Sequence, residues 1–108
     1  MLLVGCDNNS SAGLEIFNSS NLSPQSCLRG FNPNKLKEAI QRCNIVISKY
    51  KNNPEPLNDR SLIYNLMGNI KLACSDNRKA LSLLAIDKKN VDKLIQYEIK
   101  MRQDICKQ

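Results

Sequence analysis

The chain predicts an all-α fold of about four helices in antiparallel hairpins, preceded by a flexible N-terminal tether. Three features predict it. From Leu36 onward, apolar residues recur three and four positions apart in four blocks, the spacing that gathers them on one face of a helix. Short polar stretches separate the blocks and hold residues that break or cap helices: Asn52-Asn53-Pro54-Glu55-Pro56, Ser75-Asp76 and Asn90. No stretch shows the sustained alternation of apolar and polar residues that a half-buried strand needs.

Residues 7–32 are rich in Asn and Ser and poor in large apolar side chains. Such a segment cannot bury enough surface to offset the entropy of ordering, so it is expected to be a tether. The helical domain then covers 33–108. Asn32-Pro33 places a capping side chain before a proline suited to a first helical turn, and Leu36, Ala39, Ile40, Cys43, Val46, Ile47 and Tyr50 form the stripe of a first helix over 33–50. Pro54 and Pro56 interrupt it. Asn58 is expected to cap the second helix, whose inward residues are Leu62, Ile63, Leu66, Met67, Ile70 and Ala73. A turn at Ser75-Asp76 leads to a third helix over 76–87, apolar on nearly all sides and therefore expected to be the most buried. The fourth helix spans 90–106, capped by Asn90 and carrying Val91, Leu94, Ile95, Ile99, Met101 and Ile105.

At the N-terminus, Leu3-Val4-Gly5-Cys6 followed by the polar run Asp7-Asn8-Asn9-Ser10-Ser11 resembles the lipobox of bacterial lipoproteins. The resemblance implies that Cys6 is lipidated, that residues 1–6 are the remnant of a signal segment, and that the protein is anchored in the bacterial envelope facing the periplasm. Asp7 beside the lipidated position resembles the inner-membrane retention signal of some bacteria. The other cysteines are Cys27, Cys43, Cys74 and Cys106, an even set that suits two disulfides in an exported protein. With the predicted helix directions, Cys27 pairs with Cys74, which leaves Cys43 for Cys106. Sixteen or more residues separate neighbouring members of this set and the chain has no histidine, so the close ligand pairs of a structural zinc site are missing.

Tyr64, Met67-Gly68, Ala80 and Leu84 resemble a tetratricopeptide repeat, in which an aromatic, a Leu-Gly pair, an alanine and a bulky apolar residue sit at fixed offsets on two antiparallel helices. Ala39, Cys43 and Val46 resemble the second helix of a preceding repeat. Lys71 departs from the pattern where an aromatic is usual, and Asp87 where alanine is usual. The resemblance implies that Gly68 and Ala80 let two helix backbones approach closely. It also implies protein–protein recognition through outward positions of the second helix, here Asn58, Asn65, Asn69 and Lys71.

Nothing in the sequence resembles catalytic machinery. Without histidine the usual near-neutral acid–base group is lacking, the carboxylates are dispersed, and neither a Cys-x-x-Cys motif nor a glycine-rich phosphate loop occurs. No cofactor or metal is expected. The net charge of +6 falls on the helical part, but its basic residues are scattered and not interleaved with aromatics, which describes a solvated face better than a nucleic-acid surface. The expected role is a non-catalytic, membrane-tethered interaction module whose partner is another envelope protein or a peptide. A periplasmic inhibitor or immunity-type protein is the alternative, followed by a basic cytosolic helical domain that binds nucleic acid.

Overall fold

The computed structural model describes residues 21–107, and the expectations for the lipobox, Cys6 and Asp7 lie outside them. The described residues are all-α, with four helices: α1 Leu36–Lys49, α2 Pro54–Leu66, α3 Ile70–Ile86 and α4 Lys93–Cys106. Short 3-10 turns at Ser26–Leu28 and Lys88–Asn90 precede α1 and α4. Consecutive helices run antiparallel, so α2 and α4 share a direction and pack on the same neighbour, α3.

The helix boundaries move from their expected places wherever the capping chemistry is stronger elsewhere. Asn53, not Asn58, caps α2: its Oδ1 accepts from the Glu55 N–H at 2.9 Å. Pro54 then sits in the first turn, where its missing N–H costs nothing. The hairpin between α2 and α3 turns at Gly68, not at Ser75-Asp76. Gly68 has φ +80°, a left-handed conformation that only glycine adopts without cost. Around it the Asn69 N–H reaches the Tyr64 carbonyl at 2.8 Å and the Gly68 N–H reaches Asn65 at 3.0 Å, the paired bonds of a Schellman cap. Asn69 then caps α3 through Oδ1 to the Leu72 N–H. Asn90 is likewise displaced as a cap, since Asp92 accepts from the Leu94 N–H at 2.8 Å while the Asn90 amide bonds Asp87.

These shifts remove the packing role implied for Gly68. Nothing lies within 4 Å of where its Cβ would stand, so it serves the turn and not a close helix approach. Ala80 and Leu84 are core residues as expected, and Tyr64 is half-buried beside Arg60. The most buried helix is α2, with Pro54, Pro56, Leu57, Asn58, Asp59, Ser61 and Ile63 all inside, whereas α3 exposes Leu72 and Ile86.

Two adjoining cores follow. Cys27, Ala39, Cys43 and Ile63 form one beneath α1, and Leu57, Ala80, Leu84 and Ile99 form the other between α2, α3 and α4. Cys27 belongs to the segment expected to be a tether, and it is not alone there. Leu22 and Ser26 are also buried, Tyr50 donates its hydroxyl to the Leu22 carbonyl at 2.7 Å, and Arg42 donates to the Cys27 carbonyl. Residues 22–28 are therefore part of the packed domain. No helix among the described residues is long and apolar enough to cross a membrane.

The disulfides are Cys27–Cys43 and Cys74–Cys106, which corrects the expected Cys27–Cys74 and Cys43–Cys106 pairing. The cause is the moved turn. With the hairpin at Gly68, Cys74 lies in the first turns of α3, and the antiparallel α4 brings its last residue, Cys106, to that end. Their Cα atoms are 5.7 Å apart, within the range a disulfide spans. Two such bridges mark a chain that matures in an oxidising compartment and not in the reducing cytosol.

Candidate partner-binding site

α2 and α4 reach each other across α3 through a polar contact. Asn58, 1% exposed, donates Nδ2 to Glu98 Oε1 at 2.8 Å and accepts at Oδ1 from Arg102 Nε at 3.0 Å. Both halves of its amide are thereby occupied inside the protein. Asn58 is thus not an outward recognition residue. The other three residues implied for recognition cluster at the hairpin end of α2 and α3: Asn69 is engaged as a cap, Asn65 is half-buried and Lys71 is exposed. The structure brings those three together and leaves Asn58 apart from them.

Beside the Asn58 contact lies a cavity of about 430 Å³, open to solvent between the Ser26–Leu28 turn, the first half of α2 and the middle of α4. Glu55, Asp59 and Glu98 line it with Arg102, and Leu28, Leu62, Ile95 and Met101 supply its apolar walls. Glu55 and Asp59 are one turn apart on α2, as are Glu98 and Arg102 on α4, so each helix presents its pair from a single face. Gln25 closes the rim and donates Nε2 to Glu55 Oε1 at 3.0 Å.

Asp59 differs from the other two carboxylates. It is 8% exposed, and no hydrogen bond or ion pair reaches its carboxylate among the described residues. Burial, then the charges of Glu55 and Glu98, push its pKa up to about 7, and Arg102 only partly opposes them. Among the described residues no group of three or more acidic, cysteine or histidine side chains, these acids included, is placed to hold a metal ion.

Outside the cavity, α4 exposes an unbroken apolar stripe. Leu94, Tyr97, Met101 and Ile105 follow one another at intervals of three and four, with 61%, 63%, 40% and 52% of their surfaces in water. Met101 belongs to the stripe and to the cavity wall alike. The α4 periodicity is visible in the sequence, but periodicity alone does not say which of its apolar residues are covered; within α4 only Ile99 is fully buried. The acids were missed because Asp59 and Glu98 lie about forty positions apart in the chain and meet only when α2 and α4 pack. The i,i+4 pairs Glu55/Asp59 and Glu98/Arg102 were the available signal.

A second polar cluster braces the scaffold. Arg60 donates Nε and Nη2 to the two oxygens of Asp76, each at 2.7 Å, and Nη1 to Asn44 Oδ1 at 2.7 Å, so one guanidinium ties α1, α2 and α3. The hydrogen bonds to Asp76 hold the Arg60 guanidinium firmly charged. Asn77 donates to the Ile99 carbonyl between α3 and α4 at 2.9 Å.

No protein-family model matches the chain, and neither a curated protein nor a solved structure matches it.

Proposed function

We propose that this protein is a non-catalytic interaction module of the bacterial cell envelope, held at the membrane by a lipidated Cys6 and binding another envelope protein through the outer face of α4. The observation that carries the reading is the stripe Leu94, Tyr97, Met101 and Ile105, left in water by a helix whose opposite side is packed and crosslinked. A contiguous apolar face on a small exported domain is characteristic of an interaction site. Support for the compartment comes from the two disulfides, and support for the anchor from the sequence Leu3-Val4-Gly5-Cys6.

Two measurements test it. Mass spectrometry of the native N-terminus is expected to find Cys6 as an acylated first residue; an unmodified Cys6 inside an intact N-terminal segment rejects the anchor. A photo-crosslinking residue at position 97 is expected to give a discrete protein adduct in intact envelopes, whereas one at Lys37 on the solvent side of α1 gives none. Equal labelling from both positions rejects the α4 face.

A further inference from the structure

We propose that the cavity between α2 and α4 receives a lysine or arginine side chain of the partner, with the Asp59 carboxylate as its acceptor. The proposal rests on the reading of α4 as a protein-binding face and specifies the chemistry of what binds there.

The cavity carries three carboxylates against one guanidinium, on a chain whose net charge is +6. Two of the acids already have work: Glu55 accepts from Gln25, and Glu98 accepts from Asn58. Arg102 gives its Nε to Asn58 and makes no ion pair with Asp59. Asp59 alone lies nine-tenths buried, facing the cavity, without a hydrogen bond among the described residues. A largely buried carboxylate without a protein donor is costly, and no described residue of this chain supplies one, so a donor entering the open cavity would relieve it.

The walls decide what kind of donor fits. Leu28, Leu62, Ile95 and Met101 offer apolar surface along the way to the acids, which suits a cation carried on a methylene stem and not a hydrated inorganic ion. The lack of a metal-holding group among the described residues agrees with that choice. Because Met101 joins the cavity to the Leu94/Tyr97/Ile105 stripe, the same partner segment can lay apolar side chains on α4 while its basic side chain enters the cavity. Charge complementarity and continuity with the stripe therefore favour a segment that alternates apolar and basic residues.

Selection of short random peptides displayed on phage against the immobilised full chain tests this. The expected winners share a Lys or Arg flanked by large apolar residues. Their affinity is expected to fall about tenfold or more in Asp59→Asn, the loss of a close charge pair, and to fall as well in Tyr97→Ala. A second readout does not depend on a variant: the same peptides should bind more weakly at about pH 5.5 than at about pH 8, because protonation removes the Asp59 charge. Winners without a basic residue, or with unchanged affinity for Asp59→Asn and no pH dependence, overturn the proposal; if they still need Tyr97, the α4 interaction face survives it. Winners that ignore both residues overturn both readings.

Discussion

The Asp59 carboxyl makes the molecule's behaviour depend on pH even without a partner. Folding pushes its pKa up to about 7, chiefly by burial, while in the unfolded chain an aspartate titrates near ~4. Between those values the folded protein retains a proton that the unfolded chain has released. Its contribution to stability is therefore complete below about pH 4 and is lost as pH rises through about 7, by at most about 4 kcal/mol. Asp59→Asn cannot ionise and escapes that loss. The expected outcome is a melting-temperature difference that grows in favour of the variant between about pH 4 and about pH 8. A difference that stays constant over that range would mean that Asp59 is solvated in the folded protein.

At the scale of elements, the hairpin at Gly68 governs more than its own turn. It ends α2 early, starts α3 six residues ahead of the expected position, and so sets which cysteines meet. Cys74–Cys106 closes a separation of 32 residues and ties the last turn of α4 to the first turns of α3. That bond holds in place the helix that bears the exposed stripe. Replacing both cysteines by serine should lower stability by about 2–4 kcal/mol in urea unfolding. It should also increase amide exchange in α4 while leaving α1 protected, because Cys27–Cys43 and the core beneath α1 are untouched. A non-reduced peptide map is expected to recover Cys27 with Cys43 and Cys74 with Cys106; recovery of Cys27 with Cys74 would place the α2–α3 turn elsewhere.

For the molecule as a whole, a small apolar core is supplemented by buried polar joints. Arg60 with Asp76 and Asn44 links α1, α2 and α3; Asn58 with Glu98 and Arg102 links α2 and α4; Ser61 donates to the Ala73 carbonyl at 2.9 Å. Such joints select one arrangement of helices, since each is satisfied only when its partners are in register. Asp76→Ala leaves the Arg60 guanidinium largely buried and unpaired, and denaturant unfolding should show a loss of about 3–5 kcal/mol. The double variant Arg60→Met, Asp76→Leu removes both charges together and should recover most of that loss. No recovery would show that the pair's hydrogen bonds, and not its uncompensated charge, dominate.

Local patterning made the all-α class and the approximate centres of the helices legible, because three-and-four spacing and capping residues act over a turn or two. The two disulfides, and the oxidising compartment they imply, could likewise be anticipated from the cysteine count. Choices between rival local signals were not legible: Asn53 against Asn58, Gly68 against Ser75-Asp76, Asp92 against Asn90. The caps at Asn53, Gly68 and Asp92 are the ones compatible with burying Ile63 in one core and Ala80 and Ile99 in the other. The cysteine partners, the inward place of Asn58 and the meeting of Glu55, Asp59 and Glu98 belong to that same long-range packing. Residues about forty positions apart become neighbours only once the hairpins close, and the energy that closes them is spread over the whole core.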